Sequence, residues 1–396
     1  MAAGLVDSFC LSMAWTVVVL EVTRRHGLLA AGLCSTAMLV GVALSAPIAT
    51  WMAHHLDGRR LLRVAGLIEA AMRISVFVLL ATGSSVWLIA LCVTAMNVVA
   101  WTGYAGMRAE VAAVTDGAGG LTWYGTIVAA VEAVGIAAGA MLPTGASGRP
   151  SDTVLGVVTV VYVAALVPTL VVAGGSRVPR AVRTSLRVGT IARPSAVTVQ
   201  GALLMLVASG PTLLAVALAA ELHGRAAVGP AAIAFTLGSL LAPVVATFLE
   251  RHGRNAPGWW LILAFGMVAG WVLAPMSITW LCVAQVLSGL CMTTLEGLLD
   301  TRASQRRPEA VTAALARSTA ARALGSSAGT ALLPLAVAAV GLSRSSAVIA
   351  GVLAVLVVVV HVSRRDPAVA TADDRVPHEM SGWVPRVGAP SAVPRP

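Results

Sequence analysis

Asp7, Glu69, Arg73, Glu132 and Arg322 are charged side chains that stand inside long apolar stretches of this chain. A charge near the centre of a bilayer costs roughly 2.5 to 3.5 kcal/mol even on insertion-based scales, so a charge kept there is a candidate for function. Glu69 and Arg73 are four residues apart, about one turn of helix, where each neutralises the other. Glu132 and Arg322 each stand three residues before a Gly-x-x-x-Gly row, Gly135 with Gly139 and Gly325 with Gly329. That matched placement predicts a carboxylate and a guanidinium that meet across a cavity. A partner that approaches and withdraws would make the carboxylate release and regain a proton. Asp7, a turn or so from the chain start, is a further acid for such a path. Among uncharged groups, Asn97, Gln200 and Gln285 offer hydrogen bonds, and Trp101 and Tyr104 offer ring faces for an apolar or aromatic ligand.

The same inventory excludes much chemistry. All 27 basic residues are arginine, so there is neither a P-loop lysine to hold ATP phosphates nor a Schiff-base lysine. No His-Glu-x-x-His, no Gly-x-Ser-x-Gly and no cluster of His and Asp lies in the apolar segments, which speaks against an enzyme, and no cofactor or metal is expected. His54 and His55 are adjacent and so project about 100° apart on a helix, unsuited to joint metal ligation. Cys10, Cys34, Cys92, Cys282 and Cys291 are odd in number, sit in apolar runs and form no Cys-x-x-Cys pair, as small core hydrophobes do.

The elements that must position these groups are set by composition. Of 396 residues, 58% are apolar and 11% charged, against roughly 25% charged in a soluble domain, and mean hydropathy is +0.88. Apolar runs of about 20 residues recur, each enough for about 30 Å of helix, the depth of one bilayer core. Breaks at Gly, Pro, Ser and charge clusters cut the chain into twelve segments: 3–21, 27–53, 61–82, 85–107, 121–143, 153–174, 197–220, 226–249, 258–276, 279–299, 312–341 and 344–362. The reading is an all-α membrane protein of twelve transmembrane helices in two pseudo-symmetric six-helix bundles. Residues 1–174 and 197–362 form the bundles, 175–196 a basic linker, and 363–396 a tail too poor in periodicity to fold alone. In the linker, Arg180, Arg183 and Arg187 share one helical face, which suits either a helix on anionic lipid or a basic tether. The connections after even-numbered segments, with the tail, carry 19 arginines and those after odd-numbered ones carry 5, which places both termini in the cytoplasm. Trp51, Trp87, Trp259, Trp260 and Trp280 fall at segment ends, as in an aromatic belt. The first segment begins almost at Met1 without a basic flank, as a start assigned too late would leave it. The net charge of +10 is thereby a matter of loops, and nucleic acid is not a predicted partner.

An internal repeat joins the two sets of segments. Ala46-Pro47 recurs as Ala242-Pro243, Ser84, Trp87 and Leu88 as Ser277, Trp280 and Leu281, and Gly135/Gly139 as Gly325/Gly329, in the same order at offsets of 190 to 196 residues. Six segments per copy leave both copies in one orientation, with their symmetry axis along the membrane normal. At these residues the chain resembles the major facilitator superfamily. Ala246-x-x-x-Glu250-Arg251-x-Gly253-Arg254 is similar to that family's cytoplasmic signature between helices 8 and 9. In the first copy Gly58, Arg59 and Arg60 match, while His55 takes the usual acidic position and Asp57 falls two residues late. The resemblance implies that Asp57, Gly58, Arg59, Arg60, Glu250, Arg251, Gly253 and Arg254 form cytoplasmic gating loops. The family's arginine within helix 4 has no counterpart inside segment 4.

What the resemblance implies is a multi-pass transporter of the cell's cytoplasmic membrane whose two bundles rock about a central site. Walls of Ala, Val, Leu, Gly and Met suit an amphipathic or hydrophobic small molecule better than a sugar or a phosphorylated metabolite. The glycine rows resemble loosely the helix 5 motif of the antiporter branch, which favours export of a drug or secondary metabolite. Isolated acids without a cage of oxygen ligands favour the proton as coupling ion. Import of a small organic nutrient is the alternative, ahead of a receptor or a membrane enzyme. The expected partners are the bilayer, a small-molecule substrate and protons, and the expected state is a monomer.

Overall fold

The computed structural model describes residues 2–114, 118–145, 148–176, 195–252, 254, 256–306 and 311–363, and every regular element in them is helical. The linker from 177 to 194, the tail from 364, and Gly253 lie outside the described residues.

The first element, α1 (Ala2–His55), covers the first two predicted segments. Straight, its 54 residues would reach about 81 Å, far more than one bilayer core. It breaks at Gly27, whose φ of 76° and ψ of −178° lie where only glycine sits without strain, and its arms share one core, Cys10, Ala14 and Val17 with Ala30, Cys34 and Ala37. The loop expected over 22–26 is therefore helical, and a single residue makes the turn. Gly224, with φ 81° and ψ 169°, does the same in the second half, 197 residues later.

Next come α2 (Gly58–Ala81), α3 (Val86–Val114) and α4 (Ala118–Met141). The sixth segment is two helices, α5 (Asp152–Ala164) and α6 (Val167–Gly174), and the seventh three, α7 (Ala196–Ala208), α8 (Gly210–Leu213) and α9 (Ala215–His223). The break in the sixth segment and the first of the two in the seventh precede a proline, Pro168 and Pro211, which have no N–H to give the preceding turn. The remainder are α10 (Val228–Arg251), α11 (Pro257–Ala269), α12 (Ile278–Arg306), α13 (Val311–Val340) and α14 (Leu342–Ser363). Among the described residues nine helices are long and apolar enough to cross a membrane, with α1 counted once. Their outer faces carry exposed Leu67, Leu91, Val171, Val244 and Val348, surface that lipid tolerates and water does not. Trp51, Trp87 and Trp280 are exposed at helix ends, but Trp260 is buried in the core of the second half, so it leaves the predicted belt.

Without a hydrophobic drive between helices in lipid, close backbone packing holds them together. The two halves use the same contacts. A Cβ on Gly135 would stand 2.4 Å from the Phe9 carbonyl oxygen and one on Gly139 2.5 Å from that of Met13. The equivalents are Gly325 at 2.0 Å from the Ala202 oxygen and Gly329 at 2.6 Å from that of Leu206. Likewise Gly41 meets the Thr94 carbonyl of α3, and Gly238 that of Val286 on α12.

The connections after odd-numbered segments gather at one end. There Arg25 donates to the Leu80 carbonyl at 2.8 Å, Arg149 to that of Ala81 at 3.4 Å, and Ser343 to that of Val272 at 2.9 Å, while His223 Nε2 lies 2.8 Å from the Ala274 oxygen. The halves also meet toward this end. Gly32 packs on Thr330 and Pro334, Thr36 donates to the Ser327 carbonyl at 3.0 Å, and Arg225 donates to those of Ala140 and Gly139 at 2.5 and 2.9 Å. A core of Ala140, Leu218, Trp271 and Leu333 lies between them.

Candidate functional site

A cavity of about 320 Å³ lies between the two halves. From the first half it takes Trp15 and Met38 of α1 and Ala129, Glu132, Ala133 and Ile136 of α4. From the second it takes Thr212 and Leu213 of α8, Ala215 and Val216 of α9, Phe235 and Thr236 of α10, and Gln285 and Met292 of α12. The break before Pro211 is what presents a short helix to this space. Among the described residues Glu132 is the only charged one lining it, and it has no ion-pair partner there. Gln285 is 1% exposed with its amide oxygen unbonded, and the Thr212 hydroxyl is buried without a partner. An unmatched carboxylate and two unmatched oxygens in an apolar chamber are costly unless a proton or a ligand meets them.

The expected meeting of Glu132 with Arg322 does not occur. Arg322 turns into its own half, where Nη1 donates to Asp300 Oδ1 at 2.5 Å and to the Ser318 hydroxyl at 2.8 Å, with Glu296 Oε1 3.8 Å from Nε. Two carboxylates one turn apart on α12 outbid a single distant one. Glu296 stands inside the tenth predicted segment, and its spacing to Asp300 is the sequence signal that points to this arginine's partner.

Asp7, Glu69 and Arg73 do come together. The Arg73 side chain is fully buried, with Nη2 donating to Asp7 Oδ1 at 2.6 Å, Nη1 to the Tyr162 carbonyl at 2.6 Å and Nε to Glu69 Oε1 at 3.0 Å. Nη2 also reaches Glu69, and the guanidinium lies 4.0 Å over the Tyr162 ring. Each of its three nitrogens has a partner, so α1, α2 and α5 are locked to one another here. The space beside Asp7, Glu69 and Tyr104 is about 20 Å³, room for one water rather than an organic ligand.

The other sequence candidates separate. Asn97 is buried and donates to the Val93 carbonyl of its own helix at 2.9 Å, close to Gly41, a packing role. Gln200 is exposed on α7 and does not line the cavity. Trp101 is 37% exposed and packs edge-on against Tyr104 at 5.4 Å, outside the cavity as well. Of the loop residues, Asp57 caps α2 by accepting from the Arg60 N–H at 2.7 Å, beside buried Gly58. Arg59, Arg60, Glu250, Arg251 and Arg254 are exposed, and Arg254 lies 5.1 Å over the Trp259 ring. Among the described residues these loop side chains form no ion pair with one another.

Sequence reasoning gives no weight to Glu21, yet its buried carboxylate gathers arginines. Arg25 Nε lies 2.5 Å from it, Arg24 Nη2 2.8 Å and Arg149 Nε 3.7 Å. A second cavity of about 260 Å³ opens beside Glu21, Arg24, Glu221 and Arg225 at the glycine-turn end. The Glu-x-x-Arg-Arg run at a segment end is the signal that points there.

No family model and no curated protein matches this sequence. The fold does match solved structures. The nucleoside transporter NupG matches with a TM-score of 0.66 at 12% identity, over 92% of this chain and 98% of that one. An inward-open xylose transporter, XylE from E. coli, matches with a TM-score of 0.67 at 12% identity, over 90% and 94%. A bacterial homologue of the iron transporter ferroportin, inward-facing, matches with a TM-score of 0.61 at 16% identity, over 90% and 96%. At these identities the likeness is one of fold, and the fold is of the major facilitator type.

Proposed function

We propose that this chain is a secondary active transporter that exports a hydrophobic or amphipathic small molecule in exchange for protons. On this reading residues 1–174 and 197–362 are six-helix bundles, with 175–196 as a cytoplasmic linker and 363–396 as a cytoplasmic tail, giving twelve crossings of the cytoplasmic membrane. The arginine-poor glycine-turn end then faces outward, as the positive-inside rule favours. The observation that carries the reading is the interface cavity, walled by both halves and holding an unpaired carboxylate.

In this mechanism the two halves rock about the cavity, opening it to one side at a time. Gly32, Thr36 and Arg225 hold the glycine-turn end together in the present state, so the contacts of these residues must break for release outward. Glu132 is the coupling acid. An ionised carboxylate in so apolar a chamber is costly, so it crosses protonated or with its charge met by cargo, and the bare chamber does not cycle freely.

The test is efflux of a fluorescent amphipathic dye from proteoliposomes carrying an imposed proton gradient. The wild-type chain moves dye against its gradient until an uncoupler is added, and Glu132→Gln abolishes the gradient-driven part. Equal flux with and without the gradient would remove proton antiport from the account.

A further inference from the structure

We infer that the transported molecule is a hydrophobic monovalent cation, met by Glu132 and exchanged one for one with a proton. This rests on the transporter reading above and adds to it the charge of the cargo and the stoichiometry. The charged group offered to a ligand is the Glu132 carboxylate, an acceptor, and around it the Gln285 amide and the Thr212 and Thr236 hydroxyls can each accept as well as donate, with the Gln285 amide oxygen and the Thr212 hydroxyl unbonded. Among the described residues no arginine or histidine lines the cavity, so an anion finds no opposite charge among them. Trp15 and Phe235 add ring faces, which attract organic cations, quaternary ammonium above all.

Among the described residues, the charged groups on the elements around α4 are engaged elsewhere. On α1, Asp7 is held by Arg73, and Glu21 by Arg24 and Arg25. Beside α10, Arg225 is spent on the Gly139 and Ala140 carbonyls, and Glu250 and Arg251 lie at the helix's far end. On α3 the stretch 86–107 holds no charge. Glu132 is thus left with a proton or a cargo cation, one at a time. As the cation arrives, the proton leaves the carboxyl for water, and on the opposite side a proton returns as the cation departs. The cavity's net charge stays constant through both transits, so exchange is electroneutral, driven by a pH difference and indifferent to membrane potential.

The test pairs two molecules of one shape, benzyltrimethylammonium and its uncharged isostere neopentylbenzene, titrated calorimetrically into the purified full-length protein in two buffers of different ionisation enthalpy. The cation is expected to bind about tenfold more tightly or better and to release about one proton when the site starts protonated. Glu132→Gln abolishes proton release and the preference for charge, whereas Glu132→Asp keeps both at weaker affinity, with unchanged thermal unfolding certifying the fold. Equal binding of the two isosteres, or binding of the cation without proton release, overturns the inference. In proteoliposomes, gradient-driven flux of a neutral amphipath but not of the cation defeats the inference and leaves the transporter standing. Flux of neither defeats the transporter reading itself.

Discussion

The two halves of the chain share their backbone contacts and differ in how they keep their charges. Gly135 and Gly139 press α4 onto α1 as Gly325 and Gly329 press α13 onto α7. Arg73, in contrast, is sealed from solvent among Asp7, Glu69 and Tyr162, whereas Arg322 pairs with Glu296 and Asp300, whose side chains are 39% and 36% exposed. The residue in register with Arg322 is Glu132, and it faces the cavity. A close backbone approach tolerates only glycine, since any Cβ strikes a carbonyl oxygen that cannot move alone. A charge, by comparison, is satisfied by any opposite partner within reach, so equivalent positions can take opposite signs. The asymmetry of the cavity follows, with the acid from one half and the Gln285 and Thr212 oxygens from the other.

Removing each arginine tests that contrast most strongly. Arg73→Leu strands Asp7 and Glu69 without their cation and is expected to destabilise the folded protein by about 3 to 5 kcal/mol. Arg322→Leu leaves carboxylates that water reaches, and its cost is expected near 1 kcal/mol after solvent screening. Thermal unfolding of the two variants in one detergent measures both. Equal losses would mean that the halves do not differ in the way their burial indicates.

The shared contacts predict equality instead. Gly325→Ala and Gly135→Ala each force a helix pair apart, at a cost of about 1 to 3 kcal/mol in either half. A large loss in one and none in the other, by the same unfolding assay, would show that the equivalence of spacing does not extend to mechanics. A smaller contrast lies at the helix starts. Asp57 caps α2 while α11 begins at Pro257 after an uncapped Ala256. Asp57→Ala should therefore cost about 1 kcal/mol, and Ala256→Asp should gain a few tenths, read as shifts of the unfolding midpoint.

Features fixed by chain periodicity were open to reading from the residues, and those fixed by side-chain choice among several partners were not. Helix lies over each of the twelve apolar segments because run length and the Gly and Pro breaks carry that information locally. The turn reads as a loop over 22–26 because Thr23, Arg24, Arg25 and His26 are polar, yet that run is helical and Gly27 alone makes the turn. Glu69 and Arg73 were legible as a pair since one helix turn sets their distance, but the third member, Asp7, depends on how α1 packs on α2. Arg322 illustrates the harder case. Its register with Glu132 was visible, yet its partner was decided by Glu296 and Asp300 on a neighbouring helix. Trp15, Thr212 and Phe235 reach the cavity only through the helix break at Pro211 and the meeting of the halves, which no local pattern records.

Among the buried charges, the smallest expected change in stability belongs to the residue with the largest expected role. Glu132 has no ion-pair partner to lose, and glutamine fills the same space without a charge to bury, so Glu132→Gln should leave the unfolding midpoint within about 0.5 kcal/mol of wild type. Arg73→Leu, at the opposite extreme, should lower the unfolding midpoint most, by the equivalent of about 3 to 5 kcal/mol. The two variants thus separate a charge kept for architecture from a charge kept for work. If Glu132→Gln proved as damaging as Arg73→Leu in the unfolding assay, Glu132 would be a structural contact that the cavity geometry disguises, and its pairing with cargo would fail.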